Sequence, residues 1–80
     1  MTAPDRAALV RLIRAELADC DGFAAFEEGR AVDVAIIHGS AHPFYPLTLV
    51  RQQFYAAKAA AWRDFARRLR DLLAEMGETP

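Results

Sequence analysis

Residues 22–37 read GFAAFEEGRAVDVAII, and the fold turns on whether this stretch is strand or helix. Val32, Val34 and Ile36 alternate with Ala31, Asp33 and Ala35, and a period of two rich in β-branched residues predicts a strand over about residues 31–37. Glu28-Gly29 separates it from the run that begins at Phe23 and Phe26. A glycine between two such runs predicts that they pair as a hairpin. The first run, FAAFEE, would also suit a helical turn. A two-stranded ribbon is marginal in water by itself, so it must lie on helices.

The flanking segments supply them. Thr2 and Asp5 form a near capping box with Pro4 in the first turn, and Leu9, Leu12, Ile13, Leu17 and Cys20 recur at helical spacing. Asp21-Gly22 then offers a C-terminal stop, which predicts a first helix over about residues 4–20. After Pro46 a helical period runs through Leu47, Val50, Phe54, Phe65, Leu69, Leu72 and Met76, with no glycine or proline before Gly77. A helix of that length would span roughly 45 Å, so it either bends near the alanines of 56–61 or projects from the domain. Tyr55, Trp62, Ala66 and Leu73 make a second apolar strip beside the first, too wide for one short helix to cover. A second copy of the chain could cover part of it. The expected fold is α+β, a single α-β-β-α domain over residues 1–80, with Trp62 and Phe65 in its core.

Composition narrows the function. Eighty residues make one small domain of modest stability, and the apolar fraction of 54% is ample for a core. The chain has no eighteen-residue apolar run and no signal-like start, and it carries a single cysteine, Cys20; these features predict a cytoplasmic protein. The net charge of −1 conceals blocks. Residues 16–33 sum to −5 and residues 58–70 to +4. Either block is a solvated face or a contact for a partner of opposite charge.

Catalytic chemistry finds little support. His38 and His42 stand at H-x3-H spacing, but Gly39 and Pro43 oppose a helix there and no third ligand has a recognisable spacing, so no metal and no cofactor is expected. Ser40 lacks the G-x-S-x-G elbow, and Cys20 reads as a small buried hydrophobe. A non-enzymatic protein is expected. The candidate partner-binding residues are Asp19, Asp21, Glu27, Glu28 and Asp33, with Glu27 and Glu28 at the exposed hairpin tip. Tyr45 joins them, held outward between Pro43 and Pro46 while Phe44 turns into the core. The alternative surface is the basic face Lys58, Arg63, Arg67 and Arg70, which could follow a phosphate backbone, although Asp64–Arg68 and Arg67–Asp71 pairs would occupy part of it. A protein complex is the favoured partner, nucleic acid the lesser one, a membrane is not expected, and the chain should be a monomer or weak homodimer.

The layout of a short capped helix, the acidic GFAAFEEGRAVDVAII segment and then HPFYPLTLVRQQFYAAKAAAWRDFARRL resembles the small phage-encoded anti-CRISPR proteins, especially inhibitors of type I-C systems. These inhibitors share no common motif, so the resemblance transfers no site residues. It implies a non-enzymatic inhibitor that binds the Cascade surveillance complex, a set of CRISPR effector subunits in the host cytoplasm, and prevents recognition of target DNA. The acidic segment would then stand in for DNA on a basic protein surface.

Overall fold

The computed structural model describes residues 1–37, 41 and 43–79. Among the described residues there are two elements, α1 (Ala3–Ile37, 35 residues) and α2 (Tyr45–Glu75, 31 residues), laid antiparallel along each other. The expected hairpin is absent, and no strand occurs among the described residues, so the architecture is a helical hairpin rather than α-β-β-α. Gly22 does not end the first helix, and α2 runs without interruption through the alanines of 56–61.

The reason is a repeat that large apolar residues alone do not reveal. Along α1 the side chains facing α2 are Val10, Ile13, Leu17, Cys20, Ala24, Glu27, Ala31 and Val34, spaced alternately three and four apart. Along α2 they are Thr48, Gln52, Tyr55, Ala59, Trp62, Ala66, Leu69, Leu73 and Met76, with the same spacing. This is the heptad seam of two long packed helices. It passes straight through residues 22–37, where Ala24, Glu27 and Ala31 are buried and the alternating Val32 stays exposed. Gly22 and Gly29 each cost a helix about 1 kcal/mol relative to alanine, yet packing of a 35-residue helix outweighs them.

The seam changes character along its length. Near the chain termini Val10, Ile13 and Leu73 form an aliphatic core, with Leu9, Leu17, Leu69 and Met76 around it. In the middle it narrows to Cys20, Ala24, Ala59 and Ala66, and towards the connection it holds Tyr55 and Thr48. Trp62 is half-buried, but Phe65, expected in the core, is 43% exposed because it lies one position off the seam. The molecule is a rod of 61 × 15 × 15 Å.

Both outer ends are capped. Thr2 Oγ1 accepts from the Asp5 amide at 3.2 Å, and Asp5 Oδ2 accepts from the Thr2 amide at 3.3 Å, which closes the capping box, and also from the Thr2 hydroxyl at 2.7 Å. At the other terminus Gly77 takes φ +79°, and the Glu78 amide donates to the Leu73 carbonyl at 2.9 Å, a Schellman stop. That turn brings Glu78 to Arg6 at 2.5 Å and to Arg14 at 3.7 Å, tying the two chain ends together.

Candidate functional site

Two long helices packed along one seam leave two opposite faces, and here the two differ in chemistry. On one, the positions beside the seam are charged. Arg63 donates to Glu28 through Nε (3.0 Å) and Nη2 (3.2 Å) and reaches Asp21 at 3.4 Å, while Arg70 Nη2 donates to the other oxygen of Asp21 at 2.7 Å. The hydrogen bond and charge of Glu28, then those of Asp21, hold the Arg63 guanidinium above its ordinary pKa. Acidic block and basic block therefore meet inside one molecule. The antiparallel register places Asp21 and Glu28 of the acidic block opposite Arg63 and Arg70 of the basic one.

The residues singled out from sequence fall into place accordingly. Asp21 and Glu28 are bound to Arg63 and Arg70. Glu27 is not at an exposed tip: it is buried in the seam, with Oε1 3.1 Å from Lys58 Nζ. Arg67 turns to Asp64, which also holds Arg68 at 3.2 Å, and no Arg67–Asp71 contact forms. Among the described residues, Asp19 and Asp33 have no cationic partner. Tyr45 is half-buried at the start of α2 and Phe44 is exposed, the reverse of the expected order, because α2 begins at Tyr45 and places it in the seam repeat. His38, Ser40 and His42 lie outside the described residues. Among the described residues no three metal-ligating side chains converge, and no helix is long and apolar enough to cross a membrane.

The opposite face is apolar. Phe23 of α1 and Phe65 and Leu72 of α2 border the seam on this side among Glu16, Arg30 and Lys58, with Leu12, Phe26 and Phe54 just beyond them, and each of the six apolar side chains is exposed by two-fifths or more. Ring and cation contacts, some across the helices and some along one of them, lie on this side. The Phe23 and Trp62 rings stack with centroids 4.9 Å apart, and Lys58 Nζ lies 5.4 Å from the Phe54 ring. Arg30 sits 4.2 Å over the Tyr55 ring, donates to its hydroxyl at 2.8 Å, and reaches the Phe26 ring at 5.6 Å. Between them runs a shallow groove of about 650 Å³, lined by Ala18, Asp19, Gly22, Phe23, Phe26, Glu27, Lys58 and Trp62. Nothing stands within 4 Å of where a Cβ on Gly22 would lie.

Sequence reasoning missed this flank, although it noticed the signal. Of the first strip on α2, Leu47, Phe54, Phe65 and Leu72 stay outside while Leu69 and Met76 enter the seam, which otherwise follows the second strip through Tyr55, Trp62, Ala66 and Leu73. Comparison with protein-family models, curated proteins and solved structures returned no match to this chain.

Proposed function

We propose that the protein acts by non-covalent association, as a helical docking module whose working surface is the apolar flank. The observation that carries this reading is the contrast between the faces. The charges of Asp21, Glu28, Arg63 and Arg70 satisfy one another within the chain, whereas six large apolar side chains on the other side meet solvent. Contiguous exposed apolar surface rimmed by polar groups marks interaction sites. A rod presenting rows of aromatic and leucine side chains suits a helical protein surface, met by the same ridge-and-groove packing that joins α1 to α2.

Following the resemblance to type I-C inhibitors, the proposed partner is a subunit of the Cascade surveillance complex, bound so that target DNA is not recognised. The contact is then hydrophobic rather than a mimic of DNA charge. Binding of labelled target duplex to purified type I-C complex tests this. The wild-type protein should reduce it, the Phe23→Asp/Phe54→Asp variant should not, and Asp19→Lys/Asp33→Lys should behave as wild type. The opposite ranking would return the function to the acidic residues. No effect of the wild-type protein would remove the Cascade assignment.

A further inference from the structure

We propose that the apolar flank is covered by a second copy of the chain, packed antiparallel face to face across a dyad near Phe23, to make a four-helix bundle. The proposal rests on the reading of that flank as the working surface and names its occupant when no other protein is present. Three observations lead there.

The first is surface. The isolated hairpin exposes 5559 Å². A compact monomer of this 8.9 kDa mass would expose about 4,800 Å², and the excess, roughly 750 Å², is close to the roughly 800 Å² that one partner contributes to a standard interface. The radius of gyration, 17.8 Å, tells the same story against about 12 Å for a compact chain of this length.

The second is charge. Glu16, Phe23 and Arg30 lie seven residues apart at the same position of the repeat on α1. Their backbones are thus spaced by about 10.5 Å along the rod. Among the described residues Glu16 has no cationic partner and Arg30 no carboxylate partner. A two-fold axis crossing the rod at Phe23, in the plane of the flank, lays α1 on α1 of the second copy. It sets Glu16 opposite Arg30 of that copy, twice. An axis along the rod would instead lay α1 on α2 of the second copy and keep Glu16 level with Glu16 and Arg30 level with Arg30, so the pair could not form.

The third is shape. With the dyad at Phe23, Phe54 comes to the level of Leu72 of the second copy, apolar against apolar. Phe26 comes to the level of residue 20, where the groove beside Ala18, Asp19 and Gly22 lies open. Lys58 meets the level of Arg68 of the second copy, and each is already held by a carboxylate of its own chain, Glu27 and Asp64. A two-fold contact of this kind is self-complementary and closes at two subunits.

Sedimentation equilibrium on the full chain between 5 and 200 μM, with circular dichroism alongside, tests the arrangement. The wild type should sediment at twice the chain mass. Glu16→Arg should weaken dimerisation at least tenfold while remaining helical, Arg30→Glu should do the same, and the Glu16→Arg/Arg30→Glu double variant should recover the dimer. In a Cys20→Ala background, Phe23→Cys should form a disulfide-linked dimer on mild oxidation. A helical wild type that stays monomeric at 200 μM overturns the proposal, as does a dimer indifferent to both charge reversals. Failure of the dimer together with flank-dependent inhibition of Cascade would leave the docking reading standing. A dimer whose flank variants still inhibit would sink that reading instead.

Discussion

Glu27 Oε1 lies 3.1 Å from Lys58 Nζ, and Glu27 Oε2, buried in the seam, has no hydrogen-bond partner among the described residues. A carboxylate at a position that faces the opposing helix is a half-satisfied polar group in an otherwise apolar and small-residue interface. Leaving one buried acceptor unmatched costs about 1–3 kcal/mol, and a surface-facing lysine returns little of it. Replacing a buried ion pair by apolar side chains is often neutral or stabilising. Glu27→Leu should therefore raise the stability of the hairpin by about 1 kcal/mol. Thermal melting checks it, and a clear fall in melting temperature would show that Glu27 fixes the helix register.

Leu73 and Phe65 separate the inner strip of α2 from the outer one. Leu73 is fully buried against Val10 and Ile13, so Leu73→Ala should cost about 2–5 kcal/mol and leave the terminal end of the rod frayed. Phe65 is 43% exposed, and its truncation should cost the monomer less than about 1 kcal/mol. Urea titrations of both variants at low protein concentration distinguish the strips. Equal losses would mean that Phe65 is covered.

The Arg63–Glu28–Asp21–Arg70 edge is exposed by a third to a half, so its contribution should be modest and screened by salt. Arg63→Ala and Glu28→Ala should each lower the melting temperature slightly in dilute buffer, and the double variant should lose less than the sum of the two. In 1 M sodium chloride the coupling should vanish. A coupling that survives high salt would place the cluster in a drier environment than its exposure indicates.

Cys20 is fully buried, and burial first, then the nearby charges of Glu16, Asp19 and Asp21, push its thiol above the ordinary cysteine value. The folded chain therefore holds that proton more tightly than the unfolded one. The associated stability is intact below about pH 8.5, where a free thiol begins to ionise, and is lost as pH rises towards the higher folded value. Unfolding free energy should fall between pH 7.5 and 9.5 more in the wild type than in Cys20→Ala. Iodoacetamide at pH 8.5 should label Cys20 slowly until denaturant is added. Rapid labelling of the native protein would show the seam open at its centre.

Much of this was legible in the residues themselves. The capping box at Thr2 and Asp5, the helical period after Pro46 and the burial of Cys20 follow from local rules, because each depends on neighbours three or four positions away, whereas that period left open whether the second helix bends near residues 56–61. The strand reading of residues 31–37 failed for the opposite reason. Val32, Val34 and Ile36 alternate convincingly, but whether that stretch stays helical is decided by Ala24, Glu27 and Ala31 meeting α2, and small or charged residues give a weak periodic signal. The charge blocks were equally visible as a pattern and equally silent about their destination. Only the antiparallel pairing brings Asp21 and Glu28 to Arg63 and Arg70, tying up four of the charges that looked available and leaving the phenylalanines outside. Composition and local spacing set which segments can be helices; the side on which each helix is buried, and hence which residues remain free to bind, is set by contacts 25 to 72 residues apart along the chain.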